Sequence, residues 1–186
     1  MELHELMNRL ECFPIIAAVR DGKFAAALES PADVLFYLDA KLSGIRQRVQ
    51  QAHEHDKLLF VHIDLAEGIG KDKEGLQYLA GLGVDGIIST RGQIIRAAKD
   101  LGLLTVQRFF ALDSQGLGSV HEMLKNTAPH MMEIMPGVIP KVISRFSHGS
   151  IPVIAGGLID AKQEVTAALS SGATAISTGC KELWYI

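Results

Sequence analysis

Two short apolar stretches near the end of the chain, PVIA and TAI, are each followed by small residues. Glycine has no Cβ, so a ligand can approach the backbone closely there. A helix that starts just beyond such a turn, as we predict after the second stretch, offers free N–H groups to an anion. Tight turns with capping residues are the alternative interpretation. The pair of turns predicts a phosphate site formed by Gly156, Gly157, Ser177, Thr178 and Gly179.

Several charged side chains interrupt other apolar stretches. Arg108 lies inside VQRFF, Glu133 lies inside MMEIM, and His62 and Asp64 share one face of FVHID because strand side chains alternate. A charge in such surroundings is costly unless it is paired or bound to a ligand. The side chains therefore either bind a ligand or form an internal network, such as an ion pair between Arg108 and Glu133. For His62 the alternative is a histidine satisfied within the core.

The same carboxylates define an enzymatic hypothesis. Asp64 or Glu133 could act as the general base of an isomerase-like or aldolase-like enzyme if its pKa were tuned towards neutrality. The sequence contains no H-E-x-x-H, G-x-S-x-G or G-x-x-x-x-G-K-[ST] motif. Cys12 and Cys180 are far apart and indicate free thiols in a reducing cytoplasm, not a zinc site. We therefore predict no metal and no cofactor.

Eight short apolar runs alternate with amphipathic stretches. We predict strands at 15–19, 34–38, 58–63, 86–89, 104–109, 132–135, 153–155 and 175–178. We predict helices at 24–28, 43–53, 73–82, 93–101, 119–126, 138–146 and 161–171. This alternation indicates a parallel β/α architecture.

Eight strands can close a (β/α)₈ barrel or lie in an open doubly wound sheet. No G-x-G-x-x-G follows the first predicted strand, where a dinucleotide-binding sheet would place it. The even spacing of the short strands also favours the barrel. Because no linker or shift of composition interrupts the chain, we predict one TIM-like barrel domain over residues 1–186, with function at the carboxyl ends of the strands.

The composition restricts the class of partner. The formal net charge of −3 argues against a generally basic nucleic-acid binder, although a local basic patch is compatible with it. No apolar run approaches the roughly 18 residues of a membrane span, and the acidic N-terminus is unlike a signal peptide. We therefore expect a cytoplasmic protein without membrane contact.

Five stretches of the chain together resemble the glycerol-uptake operon antiterminator family. They are FVHIDLAEGIGKDKEGLQYL, DGIISTRGQIIRAAKDLGLLTVQRFFALDS, MEIMPGVIPKVI, PVIAGGLI and AISTGCKELW. The resemblance implies a TIM-like barrel that binds glycerol 3-phosphate and acts on a leader mRNA so that a terminator is bypassed. It also implies a ligand site made of His62, Asp64, Glu67, Lys71, Arg108, Glu133, Gly137, Lys141, Gly156, Gly157, Ser177 and Thr178.

Two classes of function remain open at this stage: a ligand-responsive RNA-binding regulator without catalysis, and a phosphometabolite enzyme. RNA binding would require basic side chains to cluster on one surface. The candidates are Arg46, Arg48, Lys57, Lys99, Lys125, Arg145 and Lys162. Because the chain is weakly acidic, RNA binding could also depend on a homo-oligomer or another partner.

Overall fold

The strands form a closed parallel barrel, as the alternation of elements predicts. The computed structural model describes residues 2–111 and 114–186. Each strand pairs in parallel with the next, and the last strand closes the barrel by pairing with the first. The strands are β1 (Ile15–Val19), β2 (Val34–Tyr37), β3 (Leu58–His62), β4 (Gly86–Ser89), β5 (Leu104–Phe110), β6 (Met131–Met135), β7 (Val153–Gly156) and β8 (Ala175–Thr178).

Helices surround the barrel and connect its strands. The helices are α1 (Leu3–Cys12), α2 (Asp21–Leu28), α3 (Ile45–Glu54), α4 (Lys73–Gly81), α5 (Gly92–Asp100), α6 (Ser114–Thr127), α7 (Pro140–Ser147) and α8 (Lys162–Ser170). Short 3₁₀ helices follow β3 (Ile63–Leu65) and β8 (Lys181–Tyr185). Within residues 2–111 and 114–186, no helix combines the length and the apolarity that a bilayer crossing requires.

The amino-terminal helix α1 is absent from the sequence-based prediction. Its Leu6 and Leu10 are buried and belong to the same apolar cluster as Ile16 and Leu58, which lie near the amino-terminal ends of β1 and β3. The helix therefore closes the end of the barrel opposite the predicted site. The prediction of a helix after β8 was also inexact, because this segment is a five-residue 3₁₀ helix.

Strand alternation determines which side chains fill the barrel. Phe60 and Val106 belong to the interior apolar cluster, and Gly86 leaves space for the Phe60 ring, since a Cβ at Gly86 would lie 2.2 Å from Phe60 Cε1. Two residues further along the same strands, His62 and Arg108 face inward. The interior thus changes from apolar to polar towards the carboxyl ends of the strands.

Candidate functional site

A small cavity lies at the carboxyl end of the barrel. Its lining residues come from several separate parts of the chain, from Ala18 to Gly179. Its volume of about 170 Å³ is smaller than the roughly 300 Å³ at which pockets for drug-sized ligands begin. The cavity therefore suits a small metabolite. It is lined by Ala18, Leu38, Arg108, Glu133, Met135, Gly157, Leu158, Ile159, Ser177, Thr178 and Gly179.

The two glycines at the end of β7, Gly156 and Gly157, serve different purposes. A Cβ at Gly156 would lie 2.3 Å from Glu133 Oε1, so this glycine makes room for the carboxylate. Gly157 has a φ of +75°, a left-handed conformation that glycine adopts without steric cost. A Cβ at Gly157 would also lie 2.6 Å from Met135 Cε. Gly156 therefore leaves space for the Glu133 carboxylate, whereas Gly157 lines the cavity.

Gly137 holds the loop after β6 against this turn. Its N–H donates to the carbonyl oxygens of Gly156 and Gly157, at 2.6 and 3.1 Å. A Cβ at Gly137 would lie 2.7 Å from the Gly156 nitrogen, so the backbones approach too closely for a side chain. Leu158 follows in the left-handed region at φ +60° and is 73% exposed. A bulky residue in this conformation is strained, and it lies at the rim of the cavity.

The turn after β8 is tied to the turn after β7 through Thr178. Its hydroxyl donates to the Ile159 carbonyl at 2.7 Å and accepts from the Cys180 N–H at 3.0 Å. The Trp184 indole N–H donates to the Thr178 carbonyl at 2.9 Å. Thr178 thus connects the two predicted phosphate turns, while Ser177, on the alternate side of β8, faces the barrel interior.

Lys23 contributes a positive charge that sequence analysis did not identify. Its Nζ donates to the carbonyl of Gly179 at 2.7 Å, although the two residues are 156 positions apart. No local pattern in the sequence signals this contact, because it exists only once β8 has closed on β1. It places a cation beside the second predicted phosphate turn.

Arg108 and Glu133 form an ion pair within the cavity wall. They lie opposite each other in the β5–β6 register, and Arg108 Nε donates to Glu133 Oε2 at 2.6 Å. The residues are 8% and 1% exposed, respectively. The ion pair that the sequence suggested is therefore present, and both partners also line the cavity.

His62 is an unsatisfied polar group in the same layer of the barrel. It is 3% exposed, and its Nδ1 has no hydrogen-bond partner among the described residues. Burial, followed by the charge of Arg108, lowers the pKa of His62 to about 4. The ring is therefore neutral near pH 7. His62 does not line the cavity, and its buried, unpaired nitrogen is a site for an ordered water.

Asp64 makes a set of internal hydrogen bonds at the barrel rim. Its carboxylate accepts from the Ser89 hydroxyl, from the N–H and hydroxyl of Thr90, and twice from the Arg91 guanidinium, at 2.7–3.0 Å. Burial alone raises the pKa of Asp64, but these hydrogen bonds outweigh it and hold the pKa below its usual range. The carboxylate thus joins the loops after β3 and β4.

Seven predicted site residues do not line the cavity: His62, Asp64, Gly137 and Gly156, described above, and the exposed Glu67, Lys71 and Lys141. The backbone of Glu67 joins the loop after β3 to the loop after β2, because its N–H donates to Ala40 and its carbonyl accepts from Leu42. Lys141 lies in the first turn of α7. Their role in binding stays a prediction.

The chemistry of the cavity suits a small phosphorylated polyol. Arg108 supplies a cation, Glu133 a hydrogen-bond acceptor, Ser177 a hydroxyl group, and the turns after β7 and β8 supply closely approachable backbone. Across the described parts of the chain, no three His, Cys, Asp or Glu side chains are grouped so that they could hold a metal ion.

Comparisons with known proteins identify close relatives over most of the chain. One similar crystal structure is that of a glycerol uptake operon antiterminator regulatory protein from Listeria monocytogenes. The two sequences are 32% identical, and the structures superpose with a TM-score of 0.87 over 92% of this chain and 95% of that one. A glycerol uptake operon antiterminator-related protein from Thermotoga maritima gives 30% identity and a TM-score of 0.83, over 91% of this chain and 96% of that one.

A curated relative and a family model extend the same result. The uncharacterized protein YgcP of Escherichia coli (strain K12) is 30% identical over 182 residues, which cover 96% of this chain and 95% of that protein. The model of the family described as "Glycerol-3-phosphate responsive antiterminator" matches residues 15–184, from the first residue of β1 to the final 3₁₀ helix. The resemblance of the five sequence stretches is thus confirmed, and the chain belongs to the glycerol-3-phosphate responsive antiterminator family.

Proposed function

We propose that this protein is a cytoplasmic antiterminator that binds glycerol 3-phosphate in the barrel cavity and, in response, binds a leader mRNA without transforming the ligand. The observation that carries the proposal is the single small cavity shared by the two turns after β7 and β8 and by the Arg108–Glu133 pair. Family membership supports the identity of the ligand and the RNA target.

The ligand's phosphate lies against Gly157 and the turn at Ser177–Gly179 in this proposal. Arg108 lines the cavity and compensates its charge there, while Lys23, which does not line the cavity, adds a positive charge at the Gly179 carbonyl. The glycerol hydroxyls donate to Glu133, which lines the cavity and whose carboxylate can accept several hydrogen bonds. Each contact uses a group that faces the barrel interior or its rim.

The geometry favours a regulator over an enzyme. A general base must accept a proton from the substrate, so one carboxylate should be free and poised near neutrality. Asp64 accepts five internal hydrogen bonds, which lower its pKa, and Glu133 is paired with Arg108. A regulator needs only a difference in ligand affinity between two states.

Three of the basic side chains named for RNA binding already have partners within the protein. Lys57 is buried against the Ser30 carbonyl, and Arg48 is bonded to Asp21. Lys99 donates to the carbonyl of Ala128. Among the remaining candidates, Lys125 and Arg145 line one groove, so local RNA contacts are compatible with the net charge of −3.

A paired experiment tests both halves of the proposal. Thermal denaturation is measured with glycerol 3-phosphate, glycerol or inorganic phosphate, and RNA is selected from a random single-stranded library with and without glycerol 3-phosphate. At one hundred times its dissociation constant the ligand should stabilise the protein by about 2.7 kcal/mol, or roughly 5–10 °C for a domain of this size. Glycerol and phosphate alone should give smaller shifts.

The ligand should also raise the affinity for the selected RNA. A coupling free energy of about 1–3 kcal/mol is typical, and it is reciprocal, so RNA should tighten glycerol 3-phosphate binding by the same factor. Ligand consumption is assayed in parallel. Steady turnover of glycerol 3-phosphate without ligand-dependent RNA affinity would contradict the regulator and support the enzyme.

A further inference from the structure

A second and larger concavity lies between α6 and α7, at the opposite end of the strands from the ligand cavity. This α6–α7 groove has a volume of about 500 Å³. Its floor is apolar and includes Leu124, Met132, Phe146 and Ile151. It lies beside the loop that enters β7, so it is separate from the turn at Gly157. The groove is large enough for a planar ring system.

The rim of the groove carries only basic or neutral side chains among its lining residues. Lys125 and His121 come from α6, Arg145 comes from α7, and His148 follows that helix. All four are exposed. Within the described parts of the chain, no carboxylate lies within 4.0 Å of Lys125 or Arg145. In a protein of net charge −3, two unpaired cations on one groove form a local site for an anion.

Aromatic rings lie beside these cations. The rings of His121 and Phe146 are 4.9 Å apart and inclined by 32°. The Arg145 guanidinium lies 6.0 Å from the centre of the Phe146 ring. Proteins that bind single-stranded RNA combine these two kinds of side chain. The RNA bases stack on the rings, and the phosphates bind to the cations.

The groove is connected to the ligand cavity by two elements. On β6, Met132 forms part of the groove floor, while its neighbour Glu133 faces the ligand cavity. Helix α7 begins at Pro140, three residues after Gly137, whose N–H donates to the turn after β7, and its penultimate residue, Phe146, lines the groove. A shift of β6 or α7 on ligand binding would therefore alter the groove directly.

We propose that the α6–α7 groove binds a single-stranded segment of the leader RNA, with a base stacked against His121 and phosphates bound by Lys125 and Arg145. This inference rests on the proposed function and adds the surface through which it operates. A second copy of the chain is a less suitable occupant, because the groove's charged groups are cations without acidic counterparts on the same rim.

The test compares two charge reversals of equal size. Lys125→Glu with Arg145→Glu alters the groove, whereas Lys73→Glu with Arg96→Glu places the same change on exposed positions of α4 and α5 that are not RNA-binding candidates. The fluorescence anisotropy of the library-selected RNA is measured with glycerol 3-phosphate at several salt concentrations. The thermal shift with glycerol 3-phosphate alone establishes that each variant is folded and binds the effector.

The groove variant should bind RNA at least tenfold more weakly than the control variant. Its dependence on salt should also be shallower, by about 1.4 in the slope of log K against log salt, since two phosphate contacts at roughly 0.7 each are lost. His121→Ala should weaken binding by about tenfold without changing this slope, because stacking carries no charge.

The remaining outcomes separate the two proposals. If the groove variant and the control variant lose the same amount of affinity, the groove assignment is overturned and the proposed function stands. If the wild-type protein binds no RNA from the library with glycerol 3-phosphate present, both are overturned. A gel-filtration change from dimer to monomer in the groove variant would assign the groove to a second copy, against the proposal.

Discussion

Replacement of Glu133 by glutamine tests the ligand site most directly. The amide keeps the size and one acceptor oxygen of the carboxylate but removes its charge. In the native protein the Glu133 carboxylate accepts a hydrogen bond from Arg108 Nε at 2.6 Å, and in our proposal it also accepts one from a ligand hydroxyl. The two roles affect different measurements, namely the stability of the free protein and its preference for glycerol 3-phosphate over phosphate.

The expected magnitudes follow from the change of a charged acceptor into a neutral one. Hydrogen bonds to charged groups contribute about 1.5–3 kcal/mol, and neutral bonds about 0.5–1.5 kcal/mol. A loss of about 1.4 kcal/mol on the ligand hydroxyl weakens glycerol 3-phosphate binding tenfold. Inorganic phosphate has no glycerol hydroxyl to lose, and Arg108 is freer to bind it, so its affinity should be kept or increased.

The free variant should also be less stable. Arg108 and Glu133 are both buried, and removal of one partner of a buried pair costs about 3–5 kcal/mol. Because glutamine retains one hydrogen bond, we expect a loss of about 2 kcal/mol, or a fall of roughly 4–8 °C in Tm.

Calorimetric titration with glycerol 3-phosphate and with inorganic phosphate gives the preference, and thermal denaturation gives the stability. Glu74→Gln, an exposed position in the first turn of α4, is the matched control and should change neither quantity. A lower Tm with an unchanged preference between the two ligands would refute the reasoning. Glu133 would then be only the partner of Arg108.

Three further substitutions examine neighbouring parts of the site. Gly157→Ala should lower the stability by about 1–2 kcal/mol, because its φ is +75°, whereas Gly22→Ala, where a Cβ meets nothing within 4 Å, should not; thermal denaturation of both variants decides. Burial lowers the pKa of His62 from about 6.5 in the unfolded chain to about 4 in the folded protein. The unfolded chain therefore binds this proton more readily, and the free energy of unfolding should fall by about 3 kcal/mol as the pH drops from about 6.5 to 4. Urea denaturation should show a weaker pH dependence in His62→Asn, and an unchanged dependence would contradict the assignment. Asp64→Asn should lower Tm by several degrees, since it weakens the contacts with Ser89, Thr90 and Arg91, yet leave the preference for glycerol 3-phosphate over phosphate intact; a lost preference would return Asp64 to the ligand site.

Local patterns in the sequence predict much of the fold. The short apolar runs and the amphipathic stretches between them were sufficient to predict the eight strands and the closed barrel. The helix α1 was missed because it precedes the first strand and has no place in a repeating β/α pattern, although Leu6 and Leu10 have helical spacing. Its role in closing the barrel is visible only from the cluster that it joins.

The sequence by itself determined the kinds of group available to the site: glycine where backbone must approach closely, and Arg108, His62 and Glu133 where strand alternation directs a polar side chain inward. Only the tertiary structure decided which partners these groups meet. Asp64 lies 25–27 positions from the groups that bond its carboxylate, Thr178 lies 19 from Ile159, and Lys23 lies 156 from Gly179. Such contacts have no local signature, because closure of the barrel brings together residues whose spacing along the chain is otherwise unrelated.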